Sequence, residues 1–152
     1  VNVLLDKGGE FTLNGSCMNP KGYKLEGSTS NKDYAALQDR VNQHNTKLQG
    51  LYQNLQLFSQ SDPAQIPKIQ GDIQNLNTGH FAWLDSLEAQ GNLMSKVASV
   101  YNFKPFMSDA SHSEFPNELE YFRGRFFGNL DLSDSVVASF PQIFDKLSLI
   151  HI

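Results

Sequence analysis

The fold turns on two adjoining stretches, NKDYAALQDRVNQHNTKLQGLYQNLQLFSQSDP (residues 31–63) and AQIPKIQGDIQNLNTGHFAWLDSLE (residues 64–88). In the first, Tyr34, Leu37, Val41, His44, Leu48, Leu51, Leu55 and Phe58 recur in alternating steps of three and four. This is a heptad seam, the spacing that keeps one helical stripe turned toward a partner. Ser30 or Asn31 can cap its start, and SQSDP breaks it. The second stretch repeats the pattern at Ile66, Ile69, Ile73, Leu76, His80, Trp83 and Leu87. Pro63 suits the first turn of the second helix and Pro67 is tolerable near it, whereas Gly71 and Gly79 weaken its interior.

Folding the two patterns about Asp62 brings them into register, because residues equally far from the turn meet across an antiparallel pair. Phe58 then levels with Ile66, Leu55 with Ile69, Leu51 with Ile73, Leu48 with Leu76, Val41 with Trp83 and Leu37 with Leu87. His44 levels with His80 by the same rule. Agreement of every apolar layer predicts a long αα-hairpin.

Upstream, VNVLLDKGGEFTLNG reads as a β-hairpin, with Val1–Leu5 and Glu10–Leu13 flanking the DKGG turn. A looser SCMNPKG leads to a third short run, YKLEG. A sheet this small is marginal alone, so residues 1–27 read as the end of a β domain. Downstream of Gly91, NLMSKVASVYNF makes a short helix with Leu93, Val97, Val100 and Tyr101 on one face, stopped by Pro105. MSDASHS is a polar loop. SEFPNELEYFRGRFFGNLDL reads as a helix capped by Ser113 or a neighbour, carrying Leu119, Phe122, Phe126 and Phe127 inward and ending near Gly128. LSDSVVASFPQIF starts at a Ser133 or Asp134 cap, is interrupted at Pro141 and resumes. The expected class is α+β, mainly α: short antiparallel strands, a long antiparallel helical hairpin and three or four shorter helices.

Bulk properties exclude several functions. The formal net charge is −4 and the pI about 5.5, so no basic field draws nucleic acid. No apolar run approaches the ~20 residues of a membrane span. Cys17 is the sole cysteine and forms neither a CxxC nor a zinc cluster; with only Lys21 nearby, it reads as an incidental thiol. Arg123 and Arg125 interleave with Tyr121, Phe122, Phe126 and Phe127, a mixture that can bind single strands. Flanking Glu118, Glu120 and Asp131 argue instead for core aromatics and a solvated charged face. NGS at Asn14 matches a glycosylation acceptor, a pattern too common to use alone.

The most informative polar pair is His44 and His80. Two facing imidazoles can ligate a metal, but a structural zinc site takes four ligands, and the nearby heights offer Asn42 and Asn45 rather than cysteine or carboxylate. The expected role is a polar layer that sets register, with no metal and no cofactor. A second reading is acid sensitivity, since protonating both rings places like charges together. No Ser-His-Asp set, paired catalytic carboxylates or glycine-rich phosphate loop occurs.

Two stretches carry a family resemblance. Phe11, Leu13, Gly27, Ser28 and Asn31 form an F-x-L strand and a G-S-x-x-N element that opens a helical region. Asn129, Asp131, Leu132, Ser133, Asp134 and Pro141 follow a helix containing YF and FF in an N-x-D-[FL]-S-D pattern. Together they resemble the region ahead of the thioredoxin domain in bacterial TlpA-like thioredoxin-fold proteins of the cell envelope. The resemblance is clear at these ends and architectural between them. It implies a cell-envelope or periplasmic setting, protein partners there, and a non-catalytic accessory region that positions a downstream thiol–disulfide oxidoreductase domain. That chemistry belongs to a CxxC, which Cys17 does not match in position or context. Two other readings stand beside it: a free-standing helical protein-interaction module, and a metal-binding hairpin using His44 and His80.

The ending LSLIHI breaks the helical period after Leu147. CTG TCT CTT ATA CAC ATC translates to these residues and resembles a transposon-end sequencing adapter. Residues 148–152 therefore read as an adapter-derived tail, which removes His151 from the candidate ligands, and residues 28–147 as the helical region.

Overall fold

The computed structural model describes residues 4, 10–16, 18–106 and 109–143. The expected Val1–Leu5 strand (apart from Leu4), the DKGG turn, Cys17, and the ending with Leu147 and His151 lie outside the described residues. So do the side chains of Phe126 and Phe127. The fold is mainly helical, and the chain divides into two compact units, Val1–Gln43 and His44–Ile152, with the border inside one long helix.

In the first unit, β1 (Thr12–Ser16) and β2 (Asn19–Glu26) pair antiparallel, with Thr12 opposite Glu26 and Asn14 opposite Lys24. The stretch read as loose supplies the turn of this hairpin and the start of its second strand, which takes in most of the expected YKLEG run; the expected hairpin about DKGG lies outside the described residues. The local cause is Ser16, whose hydroxyl accepts from the Met18 N–H at 3.2 Å and closes the chain back on itself. The register slips between Asn14 and Ser16, so the NGS acceptor sits on an irregular, exposed strand. Gly27 follows at φ 92°, where a Cβ would stand 2.8 Å from the Glu10 carbonyl oxygen. Only glycine fits that approach.

The long helix α1 (Thr29–Ser61) begins one residue after Ser28, whose hydroxyl accepts from the Asn31 N–H at 3.2 Å. Ser28, rather than Ser30 or Asn31, is thus the cap. Asn31 is instead buried, and its side-chain amide exchanges two 2.8 Å hydrogen bonds with the backbone N–H and C=O of Leu4. An amide can do this because it carries the donor and acceptor of a peptide group. Tyr34 and Leu37, the first seam positions, are buried.

In the second unit, residues 44–61 of α1 run antiparallel to α2 (Ile66–Glu88), joined by one 3₁₀ turn at Pro63–Gln65. The Asp62 N–H still bonds the Phe58 carbonyl, so the helical ladder reaches the turn. Pro67 lies in the first turn of α2, as expected. Helix α3 (Leu93–Tyr101) starts at Asn92, which accepts from the Ser95 N–H at 3.1 Å, and packs on α2. It buries Met94, Val97, Ala98 and Val100, with Leu93 and Tyr101 at the margins.

The polar loop partly coils into a 3₁₀ turn at Ala110–Glu114. Helix α4 (Glu118–Asn129) then starts at Asn117, which accepts from the Glu120 N–H at 3.0 Å, rather than at Ser113. Tyr121 lies in the core at 1% exposure, and Leu119, expected inward, is 49% exposed. Asp134 caps the short α5 (Ser135–Ala138), and the helix resumes at 141–143 after the break. Leu130, Val137, Phe140 and Ile143 complete this core. Among the described residues no helix is long and apolar enough to cross a membrane.

Candidate functional site: a stacked histidine layer and a tyrosine-centred cluster

The heptad steps place His44 on α1 and His80 on α2 at one level of the hairpin, and their imidazoles lie face to face. Ring centroids are 3.8 Å apart and the planes 10° from parallel. Asn77, one helical turn before His80, presents its side-chain oxygen 3.1 Å from His44 Nε2. The Asn45 amide oxygen lies 3.4 Å from His44 Nδ1. Phe81 stands edge-on to both rings, and Trp83 is tilted against His80. Both histidines are 8% exposed and Asn77 5%.

This geometry supports the polar layer over the metal site. An imidazole donates its lone pair in the ring plane, so a metal held by both must lie in both planes at about 2.1 Å from each nitrogen. Two nearly parallel planes separated by a stacking distance share no such point. Among the described residues no group of three or more His, Cys, Asp or Glu is placed to hold a metal. What the layer does is tie α1 to α2 at one height through His44 and Asn77. A slip by one heptad would bury these polar groups against leucine.

A second cluster joins the end of α2 to the segment after α3 and to α4. The Tyr121 hydroxyl lies 2.8 Å from the Lys104 carbonyl and 3.0 Å from Asp109 Oδ2, and its proton can serve either. Arg125 Nε approaches the same Asp109 oxygen at 3.4 Å and its guanidinium lies over the Phe115 ring. Burial, then the bond to Asp109, pushes the Tyr121 phenol well above its ordinary range, so it stays a neutral donor. Asp85 accepts from Asn102 at 2.8 Å and from Lys104 at 3.3 Å. Burial raises the Glu88 carboxyl, with a hydrogen bond to Asn102 opposing. These groups surround an open hollow of about 310 Å³. Gly124 belongs to the same packing, since a Cβ there would meet the Phe115 ring at 2.6 Å.

The arginines flagged by the aromatic-basic mixture are both directed at carboxylates: Arg123 bonds Glu120 at 3.0 Å, and Arg125 faces Asp109. Sequence reasoning missed the Asp85–Lys104 and Asp109–Tyr121 links, because a loop brings those residues together. The one local signal was Asp85 and Glu88 at i, i+3 on α2. Comparison with protein-family models, with curated proteins and with solved structures found no match to this chain.

Proposed function

We propose that the chain is a non-catalytic accessory region of a cell-envelope thioredoxin-like protein, and that it positions a catalytic domain or holds a protein partner. The observation that carries this reading is how the two resembling stretches use their polar groups. In the first, Ser28 caps α1 and Asn31 grips the backbone of Leu4. In the second, Asp131 closes a turn on Ser133, while Asp134 caps α5 and pairs with Lys96 on α3. Each motif residue with a described polar contact caps, closes a turn or joins elements within the chain, which is structural rather than catalytic work. The thiol chemistry would reside in a further domain. Reading the gene beyond Leu147 tests this: a thioredoxin-like sequence with a CxxC is expected within about 150 residues, and its absence overturns the proposal.

A second reading, a free-standing protein-interaction module, is favoured by one feature. Ile73, Phe81 and Ala82 line an open groove of about 760 Å³ together with the amides of Gln70, Gln74 and Asn77, Thr78 and the charged Asp85, Lys104 and Asp109. Side-chain amides beside apolar side chains suit a polypeptide, whose backbone both donates and accepts. Capture of a partner that Ala82→Arg abolishes, without a CxxC domain in the gene, would select this reading.

A further inference from the structure

The tip of the hairpin is chemically unlike the rest of the chain. From Leu48 to Pro67 the only charged residue is Asp62, in a protein that is 18% charged, and glutamine is the commonest residue at its exposed positions. Its seam is poorly covered. Leu48, Leu51, Leu55, Phe58, Ile66, Ile73 and Leu76 are all only half-buried, with Ile69 the exception at 7% exposure. Two helices alone cover a stripe from one side.

What covers the other side is indicated by a self-complementary pattern on α1. Lys47, Leu51, Asn54, Phe58 and Ser61 recur in steps of four and three, a stripe that takes in the half-buried seam positions Leu51 and Phe58 along one edge of the seam and is bordered by Asp62. Two copies of one helix packed antiparallel meet at positions equally far from a shared midpoint, and each contact is made twice. With the midpoint between Asn54 and Leu55, Leu51 meets Phe58 of the second copy, and Lys47 meets Asp62 of the second copy. One register thus joins the half-buried apolar pair and the only two charges at the ends of the stripe. Among the described residues Lys47 has no ion pair, and the Asp62 carboxylate meets only the Gln65 amide, at 3.4 Å. Between these ends the surface is neutral, so a chain of net charge −4 can approach its own copy there without repulsion.

We propose that the chain forms a homodimer through the hairpin tip, α1 against α1 antiparallel, with Leu51–Phe58 packing flanked by Lys47–Asp62 ion pairs. This goes beyond the accessory role and does not depend on it. The test is sedimentation equilibrium on the full chain, alone and with Lys47→Glu or Asp62→Lys, far-UV circular dichroism confirming that each variant folds. The unsubstituted chain is expected to dimerise, and each variant to do so about tenfold more weakly, because both ion pairs become like-charge contacts. Mixing the two variants is expected to restore the original affinity, since a mixed dimer regains both opposite-charge contacts. A chain that stays monomeric up to about 1 mM overturns the proposal and leaves the tip to a different protein. A dimer indifferent to both substitutions, or two weakened variants that mixing does not restore, overturns it as well.

Discussion

The two ends of the second unit reach different degrees of burial, and the difference lies outside the seam, since Trp83 and Leu87 at the base are half-buried like most of the seam at the tip. Around the base, Leu84 and Val97 are fully buried and Val100 and Tyr121 nearly so, because α3, α4 and α5 supply apolar side chains there. Around the tip, where no third layer lies among the described residues, the seam leucines and isoleucines are half-buried, with Ile69 the exception at 7% exposure. Periodicity reports which face is meant to be covered, and a third layer decides how completely. Stability should therefore concentrate at the base.

The largest expected effect breaks that core directly. Leu84→Ala should cost about 2–5 kcal/mol, the transfer term plus a cavity that a packed core only partly closes. Leu55→Ala at the tip should cost about 1 kcal/mol, since its side chain is already partly in water. Urea unfolding of both variants measures the contrast, and equal losses would remove the distinction between the two ends. Next comes Tyr121→Phe, which keeps the ring stacking and deletes the hydroxyl that ties Lys104 and Asp109 to α4. About 1 kcal/mol is expected to be lost, read as a lower urea midpoint at unchanged slope.

A pair of glycines sharpens the comparison by sign. Gly71 in α2 has nothing within 4 Å of a built Cβ, so Gly71→Ala should stabilise the tip by about 0.5–1 kcal/mol through helix propensity. Gly124→Ala has the same propensity gain but drives a methyl into the Phe115 ring, which Tyr121 and Arg125 hold in place. A net loss of about 1 kcal/mol is expected. Thermal melting of the two single variants should move in opposite directions.

These contrasts also show what could be read beforehand. The hairpin, its turn at Asp62 and the shared level of His44 and His80 follow from spacing alone, because helical periodicity is a local property that survives without tertiary knowledge. The pairing across SCMNPKG was not legible, because it turns on the Ser16 hydroxyl and an irregular register rather than on a glycine turn signal. At α4 the cap is Asn117, and the inward position is Tyr121 rather than Leu119, because the Tyr121 hydroxyl reaches Lys104 and Asp109 across the loop. The tyrosine cluster was illegible for the same reason. Asp109 and Tyr121 lie twelve residues apart, and Asp85 and Lys104 nineteen. No periodic pattern predicts a contact made by an intervening loop.

The smallest effects are electrostatic and confined to the base, and their signs oppose each other. Burial raises the Glu88 carboxyl, so the folded chain holds that proton more tightly than the unfolded chain. Stability then falls as pH rises from the ordinary carboxylate value through the raised one, and ionised Glu88 is a cost at neutral pH. Glu88→Gln should raise the melting temperature at pH 7 and leave it nearly unchanged in acid below the ordinary range. Asp134 is the reverse case: the Lys96 ammonium and the Val136 N–H hold its carboxyl below the ordinary range. Its contribution is present above the unfolded value and disappears as pH falls through the folded one, so Asp134→Asn should lower the melting temperature at pH 7 and converge with the parent in acid. Melting curves at neutral and acidic pH separate the two. If both substitutions shift stability in the same direction at pH 7, the base is not tuned by these carboxyls, and its advantage over the tip rests on apolar packing alone.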